Sequence, residues 1–464
     1  MSPSAATSSP EAVRRDPRRA HAAALRIVSR LRGAGHQALL AGGCVRDLLL
    51  GREPLDYDVA TSAPAGEVQR LFPRTVPVGI QFGVVLVVEG GQSVEVATFR
   101  RDGRYLDHRH PVDVEFADAR ADAERRDFTI NGMFLDPDRP GEPIDYVGGR
   151  ADLQAGIVRA IGDPEARFGE DRLRLLRAVR FAARLGYEID PGTFAAIRRL
   201  APTVRDIAWE RIGEEIVKIL LEGDARRGFE LLERSELLAV VLPEVAALRG
   251  VEQSSDHHPE GDVWIHTLRC LAQIEPGRHG EVLALAALLH DVGKPARASR
   301  LPDGRIAFHG HCEVGAEMAR AVCQRLRRSG DTAERVAGLV AHHLRHLDAP
   351  KMRIARLRRF LAEPWIDDLL ELVRIDVLAA SGDLAAWRFC KEQKDALPER
   401  ELRPEPLLRG RDLVDLGYRP GPRFREILER AFDAQLEGEL RSAEEARSWA
   451  LSHFPPATPS DGPA

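Results

Sequence analysis

Hydrophobic periodicity changes once along this chain, near Asp163, and the change limits the folds open to it. Upstream, short apolar runs at Tyr57–Ala60, Gly83–Val88 and Ser93–Thr98 are separated by turn residues, as strands are. A helical pattern over Ala22–Arg32 precedes them, and another over Val45–Leu50 follows Gly42-Gly43. Downstream, Leu173, Leu176, Val179 and Leu185 make one helical stripe, and Ile212, Ile216, Ile219 and Leu220 make another. Strand signals nearly vanish from there on. The pattern predicts an α+β class: a small mixed sheet with helices, then an all-α body. The 464 residues allow about three domains at roughly 150 residues each. We expect a disordered tail over 1–20, a mixed-sheet head over 21–155 and a helical neck over 156–225. A second all-α domain follows over 226–385, then a helical C-terminal region over 386–464 with a loose Pro/Ser/Gly-rich end from Phe454.

Several classes are excluded early. The five cysteines form no CxxC pair, which argues against a disulfide scaffold or a thiolate zinc site and fits a reducing cytosol, the expected location. No run of eighteen apolar residues occurs, so no membrane partner is expected. A net charge of −5 gives no global basic field, so a polyanion must be held by local arginine clusters. Only five of the 67 basic residues are lysine, a bias that makes arginine abundance uninformative by itself.

Gly42-Gly43, Arg46, Asp56 and Asp58 fall within seventeen residues. A glycine pair after a strand lets backbone N–H groups approach a phosphate, and Arg46 one turn later can neutralise it. Asp56 and Asp58 alternate along a strand and leave by the same face, which suits Mg²⁺ shared with substrate phosphates. Either motif alone is common, as a plain turn or a solvated strand end; together and in this order they point to nucleotide chemistry. Glu95, charged within an apolar strand, is a third carboxylate or a solvated one, with little to choose between them.

This stretch resembles the class II nucleotidyltransferases, the family of tRNA CCA-adding enzymes and bacterial poly(A) polymerases. Arg125-Arg126-Asp127-Phe128-Thr129-Ile130-Asn131 resembles its ribose-selecting motif, and Asp145 to Leu153 its hinge motif. Glu170-Asp171-Arg172-Leu173-Arg174 resembles its amino-acid template for the incoming base, with Glu210-Arg211-Ile212 as the supporting helix. The resemblance covers roughly 35–225 and implies a polymerase-beta-like head followed by an all-α neck. It implies that Asp127 accepts the ribose 2′-hydroxyl, Arg126 meets the phosphates and Asn131 positions the loop. Asp171 and Arg174, three apart, would share a helical face and meet the edges of C or A; without the resemblance they read as a surface ion pair. Arg177, Arg180 and Arg184 also share a face: Arg177 is assigned to the nucleotide, and Arg180 and Arg184 form an RNA-phosphate track or a solvated face. The polar stretch Thr98–Pro111 resembles the flexible loop of enzymes that add the terminal A, and Val78–Val85 resembles the CCA type.

Ten of the fifteen histidines lie between His257 and His346. His266, His290-Asp291 and Asp376 resemble the HD phosphohydrolase domain, and His311 and His342 would enlarge it to a two-metal set, with His343 the neighbouring choice. Imidazoles and carboxylates together suit a divalent transition metal. Lys294 is a phosphate contact or a helix end, and the basic Lys351–Arg359 is a tRNA contact or a packed helix.

The expected function is addition of CMP and AMP from CTP and ATP to the tRNA 3′ end. It needs Mg²⁺ on Asp56 and Asp58 but no side-chain nucleophile, and the HD region hydrolyses phosphoesters. Rivals are an A-adding enzyme, a poly(A) polymerase, and an HD hydrolase with a regulatory N-terminal domain.

Overall fold

The computed structural model describes residues 16–103, 114–253 and 261–455. Their contacts divide the chain into two units, 1–243 and 244–464. The first described helix, α1 (Pro17–Gly33), starts inside the stretch expected to be tail. The Asp16 carboxylate accepts the N–H groups of Arg18 and Arg19 at 3.1 and 3.4 Å, and Pro17 takes the first turn, where its missing N–H is harmless.

Nine strands follow: β1 (Ala38–Ala41), β2 (Asp58–Thr61), β3 (Thr75–Gly79), β4 (Val84–Glu89), β5 (Gln92–Thr98), β6 (Arg100–Asp102), β7 (Val114–Phe116), β8 (Phe134–Leu135) and β9 (Pro143–Ile144). Seven of them form one sheet in the order β3-β4-β5-β2-β1-β8-β9, while β6 and β7 pair separately. β1 runs antiparallel to β2 and β8, and β2 runs parallel to β5. The parallel register sets Asp58 beside Glu95. Helix α2 (Gly43–Leu49) leaves the end of β1, α3 (Ala65–Leu71) follows β2, and α4 (Ala119–Glu124) covers the sheet. Leu39, Ala41, Ala60, Phe99 and Phe134 pack with Ala119 and Ala123 of α4. Phe99 belongs to the stretch expected to be too polar for the core, yet it is buried edge-to-face on Phe134 at 5.8 Å. Residues 104–113 of that stretch lie outside the described residues.

The first unit continues with α5 (Gly149–Ala155), α6 (Pro164–Glu170), α7 (Arg174–Leu185), α8 (Pro191–Leu200), α9 (Trp209–Leu221), α10 (Ala225–Arg234) and α11 (Leu237–Val241). Because α10 packs on both α7 and α9, the division expected at 225/226 falls inside this unit.

In the second unit, α12 (Pro243–Ala246) straddles the boundary and α13 (Val263–Leu271), α14 (Glu281–Leu289), α15 (Lys294–Arg297), α16 (His311–Arg325), α17 (Gly330–His342), α18 (Ile354–Leu361) and α19 (Ile366–Ala379) follow. α14 is buried almost all round, the mark of a central helix. α18 buries Ala355, Leu357, Phe360 and Leu361, and Arg359 meets Asp433 at 2.7 Å, so the basic Lys351–Arg359 contains a packed helix. The end expected to loosen from Phe454 is still packed there: Phe454 is buried beside Trp449. Residues 456–464 lie outside the described set.

One contact ties the fold of the first unit to its cleft. Asp145 accepts the N–H groups of Val147, Gly149 and Arg150 at 2.9–3.0 Å, closing the turn that starts α5. That turn sits on the Thr129–Asn131 segment so closely that a Cβ on Gly149 would come 2.1 Å from the Thr129 carbonyl oxygen. Gly149→Ala should therefore destabilise the first unit by about 1–3 kcal/mol, as overpacking does. Urea unfolding checks this; an unchanged midpoint would mean the two backbones separate freely.

Candidate active sites

A cleft of about 640 Å³ in the first unit is lined by residues from β1–α2, β2, the Arg125–Asn131 segment, α7 and α9. At one end are Asp56, which is exposed, and Asp58, which is half-buried. Burial and the neighbouring charges of Glu95 and Asp56, opposed by Arg126, push the Asp58 carboxyl up to about 7. Glu95 itself is exposed, registered beside Asp58 in the sheet, and adds its charge to the site. Three acids so placed repel one another, which a divalent cation with hard oxygen preference would relieve. Gly42 makes the room: at φ 72° it adopts a conformation that favours glycine, and a Cβ there would meet Arg126 Nη1 at 3.2 Å and Asp58 Oδ2 at 3.6 Å. The residues present thus fit Mg²⁺ and a triphosphate.

A chain of hydrogen bonds orders the rest of the cleft. Arg46, buried from the first turn of α2, donates to Asp47 at 2.8 Å and to Asn131 Oδ1 at 2.8 Å. Asn131 Nδ2 donates to Asp127 Oδ1 at 3.2 Å, and Arg177 donates twice to Asp127 Oδ2, at 2.9 and 2.7 Å. Burial alone would raise the Asp127 carboxyl, but the Arg177 charge and these hydrogen bonds hold it down at about 2. Arg126 is held from behind by Asp122, through Nε at 3.2 Å and Nη2 at 2.9 Å.

The base-recognition pair departs from expectation. Asp171 and Arg174 do not share one helix: α6 ends at Glu170, Asp171 is extended, and α7 starts at Arg174. Asp171 accepts from Arg211 at 3.0 and 3.2 Å, while Arg174 donates to Glu170 Oε2 at 2.7 Å. Both nevertheless line the cleft. The arginine track also changes. Arg180 is buried between Glu215 at 2.7 Å and Glu222 at 3.0 Å, and Arg184 lies 3.5 Å from Glu222 and 3.8 Å from Asp47. A guanidinium buried in an ion pair presents little to an RNA phosphate, so Arg180 braces α7 against α9. The acids that answer these arginines, Asp47, Asp122, Glu215 and Glu222, escaped the sequence reading. Asp122 alone left a local trace, three and four residues before Arg125 and Arg126.

The second unit holds a separate buried cluster. His266 Nε2 lies 3.0 Å from Asp376 Oδ1 and 3.3 Å from His290 Nε2, and His290 Nε2 lies 3.2 Å from Asp291 Oδ2. The other oxygen, Asp291 Oδ1, faces His311 Nε2 at 3.6 Å and His343 Nε2 at 3.9 Å. Asp291 is thus placed to bridge two half-sites. His290, His311 and His343 each set Nδ1 against a backbone carbonyl at 2.7–3.0 Å, which leaves Nε2 as the lone-pair nitrogen a metal needs. This donor set fits a divalent transition metal. His342 is not part of it: its ring stacks on Trp365 at 5.1 Å, because successive residues of a helix end point in different directions, and His343 takes the inward place. Lys294 is buried 2.7 Å from Asp291, as a counter-charge. Against the opposing effect of burial, the neighbouring His290, Lys294 and His266 hold the Asp291 carboxyl well below the usual range.

Known proteins share both parts. Residues 38–159 match the family described as the poly A polymerase head domain, 186–248 the probable RNA and SrmB-binding site of polymerase A, and 263–381 the HD domain. The chain is 34% identical to an A-adding tRNA nucleotidyltransferase of Deinococcus radiodurans, over 89% of this chain and 94% of that one. It is 36% identical to a CC-adding tRNA nucleotidyltransferase of Thermus thermophilus, over 89% and 93%. It is 46% identical to a CCA-adding enzyme of Anoxybacillus flavithermus, over 48% of this chain and 56% of that one. A crystal structure of the Bacillus stearothermophilus CCA-adding enzyme in complex with CTP superposes with a TM-score of 0.61 at 27% identity, covering 93% of this chain and 97% of that one.

The Asp127–Arg177 pair makes a pH prediction. Since folding lowers the Asp127 pKa from 3.8 to about 2, its stabilisation is full above pH 4 and is lost as pH falls toward 2. Asp127→Asn should cost about 2 kcal/mol at pH 7, and the deficit against wild type should shrink as the solution is acidified from pH 4. Denaturant unfolding at pH 7 and at about pH 2 measures it, and the same deficit at both would remove the ionic part of the pair.

Proposed function

Because the chain belongs to the tRNA nucleotidyltransferase family that carries a poly(A) polymerase head domain, we propose that it builds the CCA end of tRNA, adding CMP and AMP from CTP and ATP. The observation that carries this reading is the cleft that gathers the Asp56–Asp58 pair, the guanidiniums of Arg46, Arg126 and Arg177, and Asp171 with Arg174. Asp56 and Asp58 would hold Mg²⁺, with Glu95 close enough to tune Asp58. Bound there, Mg²⁺ activates the attacking 3′-hydroxyl and offsets charge on the leaving pyrophosphate. Arg126, anchored on Asp122 by one edge, would turn its remaining N–H groups to the triphosphate, and Arg46, held by Asp47 and Asn131, would add its positive charge behind the glycine turn. The Asp127 carboxylate accepts the ribose 2′-hydroxyl, and Arg177 and Asn131 fix its orientation. Asp171 and Arg174 offer an acceptor and a planar donor set to the base edge, held by Arg211 and Glu170.

A-only addition is the second reading, favoured by likeness to an A-adding relative over 94% of its length. In the second unit, the convergence of His266, His290, Asp291, His311, His343 and Asp376 supports hydrolysis of phosphoesters such as 2′,3′-cyclic phosphates or 2′-nucleotides.

Two substrates separate the readings: tRNA lacking CCA, and tRNA ending in CC. Extension of both to CCA, read by sequencing the product ends, is expected. Extension of the second alone restricts the enzyme to A, and CC as the final product restricts it to C. Asp56→Ala with Asp58→Ala should reduce incorporation to background while sparing metal-dependent hydrolysis of a 2′,3′-cyclic nucleotide. Persistent incorporation would remove these aspartates from the reaction.

A further inference from the structure

The thiol of Cys270 has no part in anything described above. It follows His266 by one turn of α13, the spacing that places two side chains on one face, and it is fully buried. Its Sγ lies 3.5 Å from His266 Nε2, and the ligand atoms of His266, Cys270, His290 and Asp376 all fall within 4.8 Å of one another. The separations within the group are 3.0 Å for His266–Asp376, 3.3 Å for His266–His290, 3.5 Å for Cys270–His266 and 3.9 Å for His290–Asp376. A four- or five-coordinate ion with bonds of about 2.0–2.3 Å to nitrogen, oxygen and sulfur sets adjacent donors roughly 3–4 Å apart, so the bridging Asp291 can join these four. Those four separations stand near that spacing, and the sulfur lies within 4.8 Å of His290 and Asp376. A buried cysteine is ordinarily a small apolar residue packed against carbon, whereas this sulfur faces an imidazole nitrogen within a cluster of potential ligands.

We infer that Cys270 is a ligand of the metal centre in the second unit, adding a soft sulfur to two imidazoles and a carboxylate. This half of the centre then takes a thiophilic transition ion, such as zinc, cobalt or iron(II), in preference to magnesium or manganese. The sulfur–metal bond forms as the thiol proton passes to solvent. The inference rests on reading the cluster as a metal centre and deepens it by naming a ligand outside the histidine and aspartate set. Cys312 is the nearest rival, with Sγ 3.6 Å from His311 Nε2, but its group holds only three donors and the thiol is only partly buried.

The test is cobalt titration of the full-length protein after chelation, followed by absorption spectroscopy. Wild type should bind Co²⁺ with a sulfur-to-cobalt charge-transfer band in the near ultraviolet. Cys270→Ser should lose that band and at least about tenfold in Co²⁺ affinity, with Mn²⁺ affinity unchanged, while Cys312→Ser keeps the band. Cys270→Ala, with circular dichroism on each variant, separates ligand loss from misfolding. A band that persists without Cys270, or Co²⁺ bound by wild type with no such band, overturns the ligand assignment alone. No Co²⁺ binding by any variant overturns the metal centre and the inference with it.

Discussion

The Asp127 carboxylate, half-buried and held by Arg177, Asn131 and the Phe128 N–H, is the fixed point of the first unit's cleft. Burying that charge unpaired would cost several kcal/mol, so the sequence must bring a guanidinium to it from fifty residues away. Doing so fixes the start of α7 against the segment after α4. Asn131, on the same segment, reaches back to Arg46 on α2 and so ties in the glycine turn as well. One carboxylate thereby coordinates three of the chain segments that line the cleft.

This explains which parts were legible in the sequence. The glycine turn, the Asp-x-Asp strand end and the Arg-Arg-Asp segment are local patterns, each complete within a few residues. The change from strand to helical periodicity likewise depends on neighbours in the chain. Partners brought together by the fold are another matter. Arg180 reads as a solvated or RNA-facing residue because Glu215 and Glu222 lie 35 and 42 residues downstream. Asp171 and Arg174 read as one helical face because nothing in their spacing reveals the extended residue between α6 and α7. His342 and His343 are indistinguishable by type, and only the bond from His343 Nδ1 to the Val340 carbonyl shows which ring turns inward.

The arginine bias acquires a physical sense once these partners are known. A guanidinium carries five N–H donors in a plane, so a carboxylate behind it takes one edge and leaves the other directed outward. Arg126 is held in this way by Asp122, whereas Arg46 on Asp47 also donates to Asn131, and Arg174 on Glu170 also donates to the Arg167 and Arg125 carbonyls. An ammonium group, with three donors about a single point, would lose its direction when so paired. The first unit contains a single lysine, Lys218, and it is absent from the residues lining the cleft. Acid-backed arginines also keep local charge nearly balanced, consistent with a net charge of −5 on a protein that handles polyanions. On the proposed reading the cleft would meet phosphate with aimed donors more than with a broad positive field, so its selectivity should come from geometry and survive moderate salt better than a lysine-rich surface would.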